Sequence, residues 1–273
     1  MKKILFIGLP IVLLAAGLIF FLSAKEKKET EPTGNPFYEE PTPIPTRPIE
    51  ESMNERPYLS LVPSKDGHWV DLAIKRIDKG FSKIEYDLLY YADSEGSRIE
   101  RGVSTGGVPV ELSGPEYSKK ILFGSASCTT GTCKYRYDEN VNEGSFSLKL
   151  IGSSVEKYDT VYRIQSQKEV QEGFTAGDGN FTFESSSIPS GLYLTVSTIG
   201  IPAPLPSGLT AKSVPYGIFP AISAKGIVTF KTSITEGNIY SYNGKSWQKL
   251  NTKIADGEAV ADTSGAFLFI LTQ

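Results

Sequence analysis

The main part of this chain, residues 58–273, is predicted to be all-β, with antiparallel sheets packed face to face in two β-sandwich domains. Three observations support this prediction. Charged and apolar residues alternate along several short segments, as in strands that have one wet face. Turn-forming pairs such as Asn243-Gly244 separate these segments at short intervals. Beyond residue 25, no segment keeps a helical period for three turns.

The individual strands follow from this alternation. Residues 83–88 alternate between charged and apolar, which predicts one buried face made of Ile84, Tyr86, Leu88 and Tyr90. The same rhythm predicts two more buried sets, namely Val70, Leu72 and Ile74, and Phe146, Leu148 and Leu150. Later strands are predicted at residues 161–165, 181–184, 192–198, 227–232, 238–242, 247–250 and 266–271. The last segment is apolar almost throughout, so it is predicted to lie in the sandwich interior.

A domain boundary is predicted at Gly152-Ser153-Ser154, because small polar residues follow a predicted strand there. The two sandwiches would then be residues 58–152 and 155–273. Each is close to the ~100 residues that one sandwich of this kind needs.

Residues 1–25 are predicted to be a signal anchor, that is, an uncleaved transmembrane helix. The run from Ile4 to Leu22 carries no charge, and as a helix it spans about 29 Å, close to the ~30 Å hydrocarbon core of a bilayer. Signal peptides have a shorter apolar region of ~7–15 residues and a small-x-small cleavage site. The nearest candidate cut, after Ala24, places Leu22 where a small residue is needed. A cleaved signal peptide and a buried soluble helix remain as alternatives.

Residues 26–57 are predicted to form a disordered proline-rich stalk. Segment 41–48 has proline at positions 41, 43, 45 and 48, which prevents helix formation and favours polyproline II at ~3.1 Å per residue. The stalk could hold a domain at most about 100 Å from the anchor. A spacer of defined length and a linker with no length requirement both fit this composition.

The orientation of the anchor does not follow from its flanking charges. Lys2, Lys3 and the terminal amine on one side are matched by three lysines, Lys25, Lys27 and Lys28, on the other. A β-rich body behind a stalk, with a close pair of cysteines, suits the outside of a bacterial cell better than the cytoplasm. We therefore expect the anchor to bind the lipid bilayer and the body to be extracellular or periplasmic.

The closing segments of the chain resemble a known class of module. Residues 238–250 read Asn-Ile-Tyr-Ser-Tyr-Asn-Gly-Lys-Ser-Trp-Gln-Lys-Leu, followed by Gly-Glu-Ala-Val at 257–260 and Gly-Ala-Phe-Leu-Phe-Ile at 265–270. This order is similar to the closing hairpins of bacterial extracellular immunoglobulin-like modules. The resemblance implies an immunoglobulin-like fold for the two sandwiches and a surface location. It implies no catalytic residue.

Cys128 and Cys133 are predicted to form a disulfide. They enclose Thr129-Thr130-Gly131-Thr132, and a four-residue loop would place them opposite each other across a hairpin. Two reduced thiols, or a redox or metal role, are the alternatives. A metal site is disfavoured because the spacing is not C-x-x-C and there is no second pair.

No catalytic residue, cofactor or metal is predicted. His68 is the only histidine, so any Ser-His or Cys-His chemistry would have to use it. It lies at the start of a predicted strand, where an exposed or hairpin-capping role is expected. Ser154-Val-Glu-Lys157 matches S-x-x-K by chance, outside any helix. A carboxylate pair ~5–10 Å apart, as in glycosidases, stays open because spatial pairing is invisible in the sequence.

The aromatic residues provide the candidate ligand contacts. The chain has 14 tyrosines and two tryptophans, and exposed aromatic planes can hold the apolar faces of sugar rings. Trp69 alternates with the predicted buried residues of its strand, so its side chain is predicted on the solvent-facing side, the same side as Asp71. Trp247 follows a tight turn. Both are candidate ligand contacts, and packing at a sheet edge or between the domains is the alternative for each.

Taken together, these features predict a membrane-anchored, non-enzymatic surface protein that acts in adhesion, binding or envelope scaffolding. Its partner would be an envelope polymer or another surface protein. A net charge of −3 with no basic block argues against nucleic acid. One alternative is an accessory subunit of a secretion or pilus machine, in which Gly8, Pro10 and Gly17 would matter for helix pairing. Another is a carboxylate-dependent enzyme, which would need a deep pocket holding two close acids.

Overall fold

A computed structural model of the chain describes residues 52–273, except residues 95, 169, 171, 172 and 223. The predicted transmembrane helix and the predicted stalk up to residue 51 lie outside the described residues. The described part contains strands and turns and no helix, so it has no helix that could span a bilayer. The all-β prediction for the body is confirmed.

The described residues form 20 strands. In chain order they are β1 (Tyr58–Pro63), β2 (Trp69–Lys75), β3 (Phe81–Ser94), β4 (Ser97–Ser104), β5 (Val110–Glu111), β6 (Tyr117–Leu122), β7 (Gly124–Thr129), β8 (Thr132–Tyr137), β9 (Glu143–Gly152), β10 (Val155–Ser166), β11 (Phe174–Thr175), β12 (Phe181–Glu184), β13 (Leu192–Ser197), β14 (Tyr216–Phe219), β15 (Lys225–Lys231), β16 (Asn238–Tyr242), β17 (Trp247–Lys249), β18 (Thr252–Ala255), β19 (Glu258–Ser264) and β20 (Leu268–Thr272).

These strands make four antiparallel sheets. The largest has ten strands in the order β17-β16-β20-β14-β13-β10-β9-β3-β4, with β5 also paired to β3. A three-stranded sheet has the order β1-β2-β6, and a five-stranded sheet has the order β11-β12-β15-β19-β18. Strands β7 and β8 form a sheet of their own.

The predicted buried faces are confirmed. Ile84, Tyr86, Leu88 and Tyr90 of β3 are all at most 4% exposed. The inward sets on β2 and β9 are buried as well, while the residues between them are exposed or half-buried. One face of each of these strands is wet, which is why their sequences alternate.

Strands near the middle of the ten-stranded sheet are buried on both faces. In β13, Leu194 and Val196 belong to a core shared with the three-stranded sheet, whereas Tyr193 belongs to a core shared with the five-stranded sheet. The two small sheets therefore pack on opposite faces of the large one. Strand β20 is buried along its whole length, as its continuous apolar sequence predicts.

The predicted domain boundary coincides with the tight turn between β9 and β10. These two strands pair over nine positions, from Val155 opposite Ile151 to Arg163 opposite Glu143. The ten-stranded sheet is therefore continuous through this point, and all described residues belong to one compact unit. The division into two domains stays a prediction about independent folding.

The end of the predicted stalk packs on the body. Met53 is 3% exposed and contacts Ile201 and Ile270. The Arg76 guanidinium donates to the carbonyl oxygens of Asn54 and Ile201, which ties this segment to the end of β2. Burial of the Met53 side chain and the bonds from Arg76 therefore fix the end of the predicted stalk on the body.

Candidate binding site

Strands β7 and β8 form a hairpin whose side chains are almost all exposed. We call residues 124–137 the β7–β8 arm. Its turn is Thr130-Gly131, and both residues have positive φ, at 49° and 85°. A two-residue turn with this geometry matches the right-handed twist of the paired strands, and glycine adopts it without steric cost.

The arm carries the predicted disulfide. Cys128 and Cys133 are direct partners in the β7–β8 register, with Cα atoms 4.0 Å apart and sulfur atoms 2.04 Å apart. The pairing across a hairpin is as predicted, although the strands continue through the cysteines and leave a shorter loop than expected. The bond joins the strands just before the turn.

Tyr135 and Tyr137 lie on the same face of the arm as the disulfide. Residues two apart on a strand share a face, so Cys133, Tyr135 and Tyr137 form one side of β8. The two tyrosine side chains are 46% and 39% exposed, and their rings are nearly parallel, with centroids 6.2 Å apart.

This face of the arm meets two residues from the start of β2. The His68 ring stacks on Tyr137 at 3.8 Å between centroids and 7° between planes. The Trp69 ring makes an edge contact with Tyr135 at 5.5 Å. The result is a continuous series of four rings, His68, Tyr137, Tyr135 and Trp69, which we call the aromatic row.

Trp69 has the exposure that its strand parity predicts. It is half-buried and lies on the outer face of the three-stranded sheet, whereas its neighbour Val70 is fully buried. The ammonium group of Lys120 lies 5.3 Å from the centre of the Trp69 ring. A cation at this distance interacts favourably with the negative face of an indole.

The base of the arm is fixed to the core by a polar cluster. The Tyr90 hydroxyl donates to Oδ2 of Asp138 at 2.7 Å and accepts from the Gly124 amide at 3.1 Å. Nε of Arg101 lies 3.2 Å from the same Asp138 oxygen. Burial of the phenol, followed by its bond to Asp138, raises the pKa of Tyr90 well above its usual range. A Cβ at position 124 would lie 2.1 Å from the Arg136 carbonyl oxygen, so this junction requires Gly124.

His68 lies in the turn between β1 and β2, where the sequence places it. Its Nδ1 is 3.3 Å from Oδ2 of Asp66, and the Ser64 hydroxyl donates to Oδ1 of Asp66 at 2.6 Å. The Ser64 bond, followed by the bond from the His68 amide, lowers the pKa of the Asp66 carboxyl. The serine proton thus points to the carboxylate. In a nucleophilic triad the serine would instead donate to the imidazole.

Trp247 has a different environment from Trp69. It lies in β17, at the edge of the ten-stranded sheet, and its Nε1–H donates to the Ala203 carbonyl at 2.9 Å. Its ring is half-buried and lies 5.1 Å from Tyr242. Its polar atom therefore already has a protein partner, and the structure does not join it to the aromatic row.

A second surface feature is a cleft of about 810 Å³ beside the five-stranded sheet. Two acids, Glu184 and Asp262, line it, and both are direct ladder partners of Ile227 on the strand between them. Two strand spacings place their Cα atoms about 10 Å apart. The Ile227 side chain, 42% exposed, lies between the two acids. The described residues contain no cluster of three or more potential metal ligands.

Of the residues in and around the row, the sequence predicted Trp69 as a ligand contact and the two cysteines as a disulfide. His68 was expected to be exposed or to cap a hairpin, and Tyr135, Tyr137 and Lys120 were not predicted. A signal was present in the spacing Cys133-x-Tyr135-x-Tyr137, which places all three side chains on one face of a strand. Their contact with His68 and Trp69 depends on how the arm folds back over the β1–β2 turn. Local sequence does not specify that long-range pairing.

Fold and site together define an all-β protein with a disulfide-linked hairpin and a partly exposed row of aromatic rings. Comparison of the chain with protein-family models, curated proteins and solved structures gives no match.

Proposed function

We propose that this protein is a non-enzymatic binding module of the cell envelope. In this proposal residues 1–25 anchor it in the membrane, its immunoglobulin-like sheets stand outside the cytoplasm, and the aromatic row contacts a glycan polymer of the envelope. The alternative of an accessory subunit depends on residues 1–25, which lie outside the described residues.

The aromatic row is the observation that carries the proposal. Two of its rings, Tyr135 and Tyr137, are among the exposed large hydrophobic side chains of the protein. Aromatic rings with one accessible face bury a large apolar area at low entropic cost when a ligand covers them. Sugar rings present flat C–H faces that suit such a surface, with hydroxyl groups left free for water.

The fixed geometry of the row supports a binding role. The disulfide, the two-residue turn and the Tyr90–Asp138 contact hold both ends of the arm. A ligand therefore meets rings that are already arranged, and little conformational entropy is lost on binding. A disulfide on an exposed hairpin also supports an oxidising compartment.

The environment of His68 supports the non-enzymatic part of the proposal. The Asp66 carboxylate interacts with the His68 imidazole and accepts a hydrogen bond from the Ser64 hydroxyl. The serine is therefore not activated by the only histidine. The Glu184–Asp262 cleft is one place where two acids could support hydrolysis. Replacing both of these acids with their amides would abolish such a hydrolase activity, whereas the binding proposal predicts no effect on binding.

Binding of the full-length protein to immobilised bacterial cell-wall polysaccharide tests the proposal. Tyr137→Ala removes the ring at the centre of the row, and we expect it to weaken binding by about tenfold, as for an aromatic contact worth ~1.4 kcal/mol. Tyr91→Ala is the matched control because Tyr91 is 38% exposed against 39% for Tyr137 but lies on β3, outside the row. Equal binding by the two variants would contradict the proposed site.

The location is tested separately. Mild protease added to intact cells should cut the proline-rich segment before residue 52 and release a folded body, because such segments are seldom protected by packing. Complete protection in cells whose outer face is accessible, with cutting only after lysis, would contradict the proposed orientation.

A further inference from the structure

The region that contains the arm has an unusual charge distribution. Residues 117–137 include four basic residues, Lys119, Lys120, Lys134 and Arg136, and no acidic residue. The whole chain has a net charge of −3. Positive charge is therefore concentrated in β6 and the arm, beside the aromatic row.

All four of these side chains are exposed, and none forms an ion pair with any residue that the structure describes. The four are distinguished by their clustering, because other surface cations are either paired, as Lys149 is with Glu85 at 3.3 Å and Arg98 is with Glu143 at 2.9 Å, or spread over other strands, as Lys231 and Lys253 are. Unpaired cations that are not neutralised by the protein remain available to an external anion.

The cations lie on both sides of the row. Lys120 is beside Trp69 on the aromatic side. Lys134 and Arg136 lie on the opposite face of the arm, because they alternate along β8 with Tyr135 and Tyr137. The arm is one sheet thick, so these charges are within about one Debye length, ~10 Å at 0.1 M salt, of a chain bound to the tyrosines.

The acids near the aromatic row do not neutralise the positive charge of the four cations. Asp66 is bound to His68 and Ser64. Asp138 is bound to Tyr90 and Arg101 at the base of the arm. Asp71 is the ladder partner of Lys120 and offsets part of its charge, whereas the ladder partners of Lys134 and Arg136 are uncharged serines.

We propose that the ligand of the aromatic row is a polyanionic polysaccharide, whose sugar rings lie on the row, whose carboxylate or phosphate groups face Lys120, and which is attracted at longer range by Lys134 and Arg136 on the other face of the arm. This inference rests on the proposed binding function and specifies the substrate class of the same site. A sugar polymer is favoured over single-stranded nucleic acid because the chain has no long basic block outside this region.

Three polysaccharides distinguish a carboxylate ligand, an uncharged ligand and a phosphate ligand. Full-length protein is titrated with polygalacturonate, with its fully methyl-esterified form, and with phosphomannan. The ester keeps the sugar rings but removes the carboxylate charge. We expect binding to polygalacturonate or phosphomannan to be at least about tenfold tighter than binding to the ester, and to weaken strongly between about 0.1 M and 1 M salt. The tighter of the two identifies the anion.

Charge variants test the assigned residues. Replacing Lys119, Lys120, Lys134 and Arg136 with Gln should weaken binding to the charged polymer by about 15-fold, at roughly twofold for each exposed cation. The control replaces Lys231, Lys249 and Lys253, which are exposed on other strands, and should change affinity less than about twofold.

The outcomes distinguish this inference from the proposed function. Equal binding to polygalacturonate and its ester, with loss of binding in Tyr137→Ala, would overturn the polyanion inference and leave the glycan-binding function standing. No binding to any of the polysaccharides would overturn both. Equal or tighter binding to single-stranded DNA would replace the polysaccharide with nucleic acid as the ligand.

Discussion

At the scale of single residues, the two tryptophans have opposite roles. Trp247 donates its indole N–H to Ala203 and packs against Tyr242, so its removal leaves a cavity and a carbonyl without its partner. The Trp69 ring contacts Tyr135 of the surface row and the ammonium group of Lys120. The first residue therefore stabilises the fold, and the second is available to a ligand.

We expect Trp247→Ala to lower the free energy of unfolding by about 2 kcal/mol, below the range for a fully buried aromatic because the ring is half-buried. Trp69→Ala should cost less than about 1 kcal/mol, as is usual for a surface substitution. Urea unfolding of both variants measures the difference. A larger loss for Trp69→Ala would mean that the row is part of the core.

Buried tyrosines make the protein sensitive to alkali. Burial raises the pKa values of Tyr58, Tyr86, Tyr90, Tyr162 and Tyr216 well above the usual range. Their folded-state pKa values exceed the unfolded value of ~10, so the stabilisation is fully present below pH ~10 and is lost as the pH rises above it.

We expect these phenols to ionise only together with unfolding, between about pH 10 and 12. Absorbance at the phenolate band and circular dichroism, followed on the same sample, measure both events. Ionisation of all 14 tyrosines with unchanged circular dichroism would show that the five are not protected by the fold.

At the scale of elements, the β7–β8 arm is a hairpin without a core of its own. A two-stranded sheet is at best marginally stable in water. Here the disulfide and the contacts at the base of the arm stabilise it in place of a packed core. Gly124 allows the close approach of the two strands where the arm leaves the body.

Replacing Cys128 and Cys133 with Ser should lower stability by about 2 kcal/mol, the chain-entropy value for so short a loop, without abolishing the fold. The loss should be concentrated in the arm, which amide hydrogen exchange would show as lower protection of residues 124–137 alone. Labelling of both native cysteines by a thiol reagent before reduction would contradict the disulfide.

Sequence pattern predicted some elements better than others. Strands β3 and β9 were predicted with their buried faces because one face is wet and alternation reports it. Strand β14 was not predicted, since four consecutive buried residues, Tyr216–Phe219, show no periodicity. The packing of the two small sheets on opposite faces of the large sheet could not be predicted either, because local sequence pattern does not report which sheets contact each other. Of the site, Trp69 and the cysteines were predicted, whereas the stacking of His68 on Tyr137 depends on long-range pairing.

At the scale of the whole molecule, the ten-stranded sheet connects the two cores. Tyr162 and Ile164 of β10 are 1% and 5% exposed and pack in the core that β3 and β9 also line. Cutting the chain between β9 and β10 would expose these side chains and leave the β10 edge without its partner.

We therefore expect residues 155–273 expressed alone to show no cooperative unfolding transition, whereas residues 52–273 should unfold in one cooperative step. Thermal unfolding followed by circular dichroism compares the two. A cooperative transition in the shorter chain would show that the second half folds independently, as a division into two domains requires.

The central claim is that a ligand contacts the aromatic row and leaves the rest of the body free. Because the chain has only two tryptophans, fluorescence can test it directly. In Trp247→Phe the emission comes from Trp69 alone, and in Trp69→Phe it comes from Trp247 alone. Titration with polygalacturonate and phosphomannan should shift or quench the emission of Trp247→Phe and leave that of Trp69→Phe unchanged. A response confined to Trp69→Phe would place the ligand at the edge of the ten-stranded sheet and contradict the account.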